Sequence, residues 1–287
     1  MATSSPPPSR LASTPAARPA RPRELPGDGR RPLPPGAGRS SRTQKAERAM
    51  KAPIFAGATD TGLRRDHNED AFAIAAGQGI ALLADGMGGH NAGEVAAELA
   101  VGTALAILGQ TAGLGARDRL ETAVQAANAS VREKAASHPR YRGMGTTLVA
   151  VLVEAKCVTV AHVGDSRLYR LRHGALQQLT RDHSLQQEFI DKGLYSAEEA
   201  KSKVARNLLT HALGLADTTP VAVAVHALAS GDRYLLCSDG LHEMLGDAEI
   251  AALLGRRQAL PEICSALIEL ANARGGKDNI TVVVIEA

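Results

Sequence analysis

The sequence predicts an α+β fold, an antiparallel sandwich flanked by helices. Three observations carry this reading. Short Val- and Ile-rich runs recur at 80–84 (IALLA), 147–153 (TLVAVLV), 158–163 (VTVAHV), 221–225 (VAVAV), 234–237 (YLLC) and 280–285 (ITVVVI). Several are apolar at every position, the pattern of strands covered on both faces. Helical segments come as a pair after the first strands and again near the C-terminus, whereas the central strands follow one another directly. That order lacks the strand–helix alternation of a doubly wound parallel sheet.

Residues 1–52 read as a disordered basic tail. They hold ten of the 14 prolines, and 11 Lys and Arg against three Asp and Glu. Such a composition cannot bury enough apolar surface to offset its ordering entropy. The run MKAPIF offers an alternative start at Met50. Residues 53–287 form the folded domain. Asn91 and Glu94 suit a capping box that opens a helix running to about Leu108. Leu120, Val124, Ala127 and Val131 make one apolar helical stripe. Residues 166–179 read as a hairpin turning at Gly174, with Arg170 and Arg172 facing outward. Residues 180–218 are polar, helical in parts and inserted between strands, which suits a flap. Pro261 occupies the first turn of a late helix carrying Ile263, Leu267 and Leu270.

Composition narrows function. Trp is absent and there are three Phe and four Tyr, so the core is aliphatic and a base-stacking platform is not expected. Outside the tail, 22 Lys and Arg face 27 Asp and Glu, which argues against nucleic-acid binding. No stretch is read as reaching the roughly 18–20 apolar residues that cross a bilayer, so no membrane anchor is expected. Cys157, Cys237 and Cys264 are too few and too scattered for a disulfide framework or a zinc ribbon, which suits a reducing, cytoplasmic setting.

The acids are placed unevenly. Asn68-Glu69-Asp70 precedes an apolar run, Asp85 ends IALLA, Asp165 follows VTVAHVG, Asp239 follows YLLCS, and Asp278-Asn279 precedes ITVVVI. One end of a sheet would therefore gather several carboxylates. Clustered carboxylates repel and need a countercharge. Hard divalent cations with oxygen ligands, Mg²⁺ or Mn²⁺, supply it, and Gly86 lets a backbone carbonyl turn toward one. Such a pair of ions activates water for in-line attack at phosphorus. Plainer readings stand beside several neighbours. Asp60 with Gly62 is a turn, Arg64-Arg65 a solvated face, and His90 a capping residue. Cys237 is a small buried side chain, and Gly143–Thr147 a strand entry without the Lys of a phosphate loop.

In order, Arg65-x-x-Asn68-Glu69-Asp70, Asp85-Gly-Met-Gly-Gly-His90, Gly143-Met-Gly-Thr-Thr147, Val163-Gly-Asp165-Ser-Arg167, Cys237-Ser-Asp239-Gly240 and Lys277-Asp278-Asn279 resemble the PP2C (PPM) family of metal-dependent protein serine/threonine phosphatases, its bacterial branch above all. The resemblance runs from about residue 54 to the C-terminus. It implies an α-β-β-α sandwich with metals at one end. Asp85 would bridge two Mn²⁺ or Mg²⁺ ions, the Gly86 carbonyl would bind one, and Asp239 and Asp278 would hold the other. Glu69 would act through a water, Asp70 would orient the surrounding ligands, and Asn279 would support them. Arg65 would take the substrate phosphate, and Asp165 with Asp239 would bind a weaker third ion. Phosphorylated proteins, a cognate Ser/Thr kinase and a monomeric state are the implied context. The alternatives are a phosphatase-shaped regulatory module and a hydrolase of small phosphate esters. The chain departs from other branches at Met87, where they carry His, and at Lys203-Val204, where many bacterial members carry His-Pro.

Overall fold

The computed structural model describes residues 52–88, 92–205 and 208–287. The tail therefore lies outside the described residues, Ala52 apart, as do Met50, His90 and the Asn91 cap. Strands β1 (Ile54–Asp60), β2 (Asp70–Ala75) and β3 (Ile80–Met87) lead into helices α1 (Ala92–Gln110) and α2 (Ala116–Ser137). Strands β4 (Gly145–Thr146), β5 (Leu148–Val153), β6 (Cys157–Val163), β7 (Arg167–Arg172) and β8 (Ala175–Gln178) then run consecutively. Helices α3 (Leu185–Asp191) and α4 (Ala197–Lys203) precede β9 (Ala222–Ala227) and β10 (Arg233–Cys237). Helices α5 (Asp239–His242), α6 (Asp247–Leu254) and α7 (Leu260–Ala273) and strand β11 (Ile280–Glu286) follow.

Two sheets form, ordered β1-β11-β10-β7-β8 and β2-β3-β5-β6-β9, with β4 added to β3. Every pairing among the described strands is antiparallel. Three apolar layers hold them. Between the sheets, Ala81, Leu83, Val149, Val151 and Val160 meet Leu168, Leu236, Val283 and Ile285. Outside one sheet lie α1 and α2, whose stripe of Leu120, Val124, Ala127 and Val131 is fully buried. Outside the other lie α5 to α7, with Ile263 and Leu267 buried. This is the expected α-β-β-α sandwich, and its core is aliphatic, Tyr169 and Tyr234 being the large aromatic side chains wholly inside it.

Three expectations need correction. Helix α1 is long and apolar enough, with mean hydropathy 1.5, to match a membrane span by length and composition. Its apolar face is instead spent in the core. Ala96, Ala97, Ala100 and Ala104 are buried against β3 and α2, where small side chains allow close packing. Asp85 lies inside β3, not at its end, because β4 extends the pairing to Met87. The hairpin turns at His173 and Gly174, both with positive φ (51° and 79°), the geometry of a tight two-residue turn. Arg170 and Arg172, however, share the face of Leu168 and cover the open edge between the sheets. Arg172 grips the buried Asp232 through Nε and Nη2 at 2.6 and 2.5 Å. The carboxylate also accepts from the Tyr234 hydroxyl and the Ala229 amide.

Removing that guanidinium leaves a buried carboxylate short of donors. Arg172→Ala should cost about 1–3 kcal/mol in urea unfolding, and Arg172→Lys should recover only part, since Lys lacks the planar fork. An unchanged unfolding midpoint would mean that water replaces the guanidinium.

Candidate active site

Antiparallel pairing brings the acids together. The ends of β3 and β6 and the start of β5 lie at one edge of one sheet. The ends of β1 and β10 and the starts of β7 and β11 lie at the same end of the other. Residues that leave or enter strands there must point into one space. Asp70 is the register partner of Asp85 across β2 and β3. Asp239 opens α5 directly after β10, and Asp278 sits just before β11.

The result is a cleft of about 240 Å³ lined by Arg65, Glu69, Asp85, Gly86, Met87, Gly88, Thr147, Asp165, Leu209, Asp239, Asp278 and Asn279. Eight of the nine residues singled out from the sequence line it. Asp70 does not; it lies beneath, where Ser238 Oγ donates to its Oδ2 at 2.7 Å and its Oδ1 is buried without a partner.

Main-chain bonds set the positions. Asn279 is the hub: its Oδ1 accepts from the Glu69 amide at 2.8 Å, and its Nδ2 donates to the carbonyls of Thr61 and His67 at 2.9 Å. It thereby folds down the loop that carries Arg65 and Glu69. The Gly86 amide donates to the Glu69 carbonyl at 3.0 Å. A Cβ on Gly86 would stand 2.1 Å from the Gly93 carbonyl oxygen, so only glycine lets α1 close against the strand here. The Asp85 amide donates to Thr147 Oγ1 at 2.9 Å, and its carbonyl accepts from Thr146 Oγ1. Thr147 in turn bonds Ser166 at 2.8 Å. The expected Asp60–Gly62 turn forms, with the Gly62 amide on Asp60 Oδ1. Arg64 stays exposed, whereas Arg65 reaches Asp278 with Nη2 at 2.7 Å.

Sequence reading missed the hydroxyls of Thr147, Ser166 and Ser238. Ser166 and Ser238 visibly adjoin Asp165 and Asp239, and Thr147 ends the Gly143–Thr147 run; their partners, far along the chain, were not visible.

The electrostatics are those of crowded acids. Burial first, then neighbouring carboxylates, push Asp85 and Asp239 well above the ordinary range. Asp70 and Asp165 rise to about 6, mainly by burial, and Glu69 rises for the same reason despite Arg65. Burial also pushes the Cys237 thiol up to about 12, in keeping with a packing role. No three of the described His, Cys, Asp or Glu side chains close into a ready metal cage. The carboxylates line an open cleft, which suits a cation that keeps several waters.

A family model for Protein phosphatase 2C matches residues 63–279. The chain belongs to this family. Protein phosphatase 2C enzymes are metal-dependent. The serine/threonine phosphatase stp of Listeria innocua is 40% identical over 235 residues, covering 79% of this chain and 93% of that protein. The serine/threonine protein phosphatase PstP of Mycobacterium tuberculosis is 40% identical over 235 residues, 81% of this chain but 44% of its own length. The crystal structure of M. tuberculosis PstP/Ppp superposes with a TM-score of 0.76 at 40% identity, covering 82% of this chain and 98% of that one. The catalytic domain of PstP in complex with two manganese ions gives 0.73 at 39% identity, covering 82% and 97%.

The raised carboxylates make metal binding in this PP2C domain a proton-releasing event. In the metal-free fold, the stability that comes from protonating Asp70 and Asp165 is present below the ordinary carboxylate pKa and is lost as pH rises through about 6. A cation needs the ionised forms. The gain in melting temperature on adding Mn²⁺ over chelator should therefore grow from about pH 5 to about pH 7.5. A gain that shrinks with rising pH would contradict the cluster.

Proposed function

We propose that the chain hydrolyses phosphoserine and phosphothreonine in proteins with the help of two Mn²⁺ or Mg²⁺ ions and a weaker third. A bacterial Ser/Thr kinase would supply its substrates, and the chain would work as a monomer. The observation that carries this reading is the convergence of carboxylates from both sheets on one open cleft, with Arg65 at its rim. The donor set fits the cations: it is all oxygen, it is strongly electronegative, and the buried Asp70 Oδ1 beneath it lacks a partner. Asp85, with the Gly86 carbonyl, would hold one ion and share the other with Asp239 and Asp278. Glu69 would act through a water, and Asp165 with Asp239 would hold the third ion. When bound, the cations supply Lewis acidity and lower the pKa of the attacking water.

The chain's own residues do the rest. Arg65 spends one N–H on Asp278 and keeps its others for a phosphoryl group, where a planar fork makes two parallel bonds. Asn279 holds the loop that sets Arg65 above the cleft. Met87 has no proton for the leaving alkoxide, so that proton would come from water or another group, with Asp165 placed to hold such a water. A phosphatase-shaped regulatory module would have no need to keep Asp85, Asp239 and Asp278 together, and all three line the cleft. The names of the relatives favour phosphoproteins over small esters.

Hydrolysis of a phosphothreonine peptide should vanish in chelator and return with Mn²⁺ more than with Ca²⁺, whose looser coordination suits this chemistry less. Full activity in chelator would exclude a metal mechanism. A free nucleotide assayed alongside should be the poorer substrate.

Arg65→Ala should raise KM for the peptide and lower kcat/KM by about tenfold to a hundredfold, the value of a charge-assisted contact. The number of tightly bound Mn²⁺ ions, read by calorimetry, should stay the same. Unchanged kinetics would return Arg65 to a solvated face.

A further inference from the structure

The turn that carries Asp165 is gripped from two sides by histidines. The Gly164 amide donates to His183 Nδ1 at 3.3 Å, and the Gly164 carbonyl accepts from the His183 amide at 3.0 Å. On the other side, His242 Nε2 meets the Asp165 carbonyl at 3.2 Å. These partners fix both tautomers. Nδ1 of His183 faces a donor, so it accepts and the ring proton sits on Nε2. A carbonyl only accepts, so Nε2 of His242 carries its proton.

Both rings are held in place. His183 stacks on His162 with centroids 4.7 Å apart and meets His211 edge-on at 5.0 Å. His242 lines a side pocket of about 180 Å³ together with Asp165, Arg167, Asp182 and Lys201. Desolvation lowers His183 to about 4 and His242 to about 3, so both rings are neutral.

The two histidines arrive on different elements. His183 belongs to the root of the flap: the Thr210 amide donates to its carbonyl, and the next residue, Ser184, bridges to Leu209 on the cleft wall. His242 closes α5, the single turn of helix that opens with Asp239. The turn itself cannot shift toward the strands, since the Gly164 Cα already abuts Thr147; a Cβ there would stand 2.5 Å from Thr147 Cγ2.

We propose that His183 and His242 are positioning residues that couple the flap and the Asp239 helix to Asp165. Two hydrogen bonds to Gly164 thereby tie the flap root to the turn whose carboxylate would hold the third cation. The inference rests on the reading of Asp165 as a ligand of that cation.

The test compares shape-matched pairs. His242→Leu removes the donor and His242→Gln restores one near the same place. His183→Leu and His183→Asn do the same for the acceptor. Each protein is titrated with Mn²⁺ while phosphopeptide hydrolysis is followed, and bound Mn²⁺ is counted by calorimetry. Both Leu variants should raise the Mn²⁺ concentration for half-maximal activity on the order of tenfold, as losses of hydrogen-bonded support for a metal ligand do. The two tight ions should remain, and the Gln and Asn variants should come back to within about threefold of the parent. Leu variants with parental Mn²⁺ dependence, or Gln and Asn variants no better than Leu, would overturn the coupling. Asp165→Asn separates the two levels. If it leaves the Mn²⁺ dependence untouched, the reading of Asp165 fails and the coupling with it; if it shifts the dependence and the Leu variants do not, the coupling alone fails. Should a Leu variant not fold, ¹⁵N spectra of the imidazoles in the unmodified protein decide: protonated Nδ1 in His183 or unprotonated Nε2 in His242 would rule the contacts out.

Discussion

Glu69, Asp85, Asp165, Asp239 and Asp278 share one partly desolvated cleft, and like charges that close resist being brought together. The rest of the molecule is arranged around that cost. Strands that cannot bend carry the acids to a common end. Hydroxyls and amides from Thr146, Thr147, Ser238 and Asn279 satisfy the backbone and the carboxylates from below. Among the described residues, Arg65 is the one guanidinium on the cleft wall, and it sits at the rim, bonded to Asp278. A site built this way gains stability from exchangeable positive charge, which suits a metal-dependent phosphatase.

The fold was legible because its signals are local. The stripe on α2 and the doubly buried strands depend on residues a few positions apart, and period alone reveals them. The carboxylate cluster was legible for a less obvious reason: each acid lies next to an apolar run, so finding the strands nearly finds the acids. What could not be read are contacts between distant main-chain atoms and side chains. His242 sits 77 positions from the carbonyl it touches, and His183 lies on a segment whose composition announces only a polar insertion. The outward assignment of Arg170 and Arg172 failed because alternation along a hairpin was taken as inside against outside. Both faces of this sheet are covered, and a long basic stem can line the edge between layers. Helix α1 was under-read: it reaches the length and hydropathy of a membrane span, since an alanine-rich face that fits against a sheet has the same composition as one that fits in lipid.

The similarity to stp and PstP covers the folded region and its site motifs. Met87 lines the cleft here, whereas Val204 is buried at the end of α4 and Lys203 pairs with Glu199. The acids of the cleft sit at strand ends, whereas the inserted segment between β8 and β9 carries α3 and α4 of seven residues each and lends Leu209 to the cleft wall.

The division of acids between the sheets has a mechanical side. Asp85 belongs to the sheet under α1 and α2, while Asp239 and Asp278 belong to the sheet under α5 to α7. Besides aliphatic contacts, the two sheets are joined at this end by the Ser238–Asp70 and Glu69–Asn279 hydrogen bonds. Cations held jointly by these acids, as proposed above, would act as rivets driven through one end of a two-plate laminate. They would close the loop between residues far apart in sequence and penalise any unfolding route that begins by peeling the plates apart. The same ions that polarise a phosphate would then also set the lifetime of the folded enzyme, so metal supply would govern how long the protein survives as well as how fast it turns over.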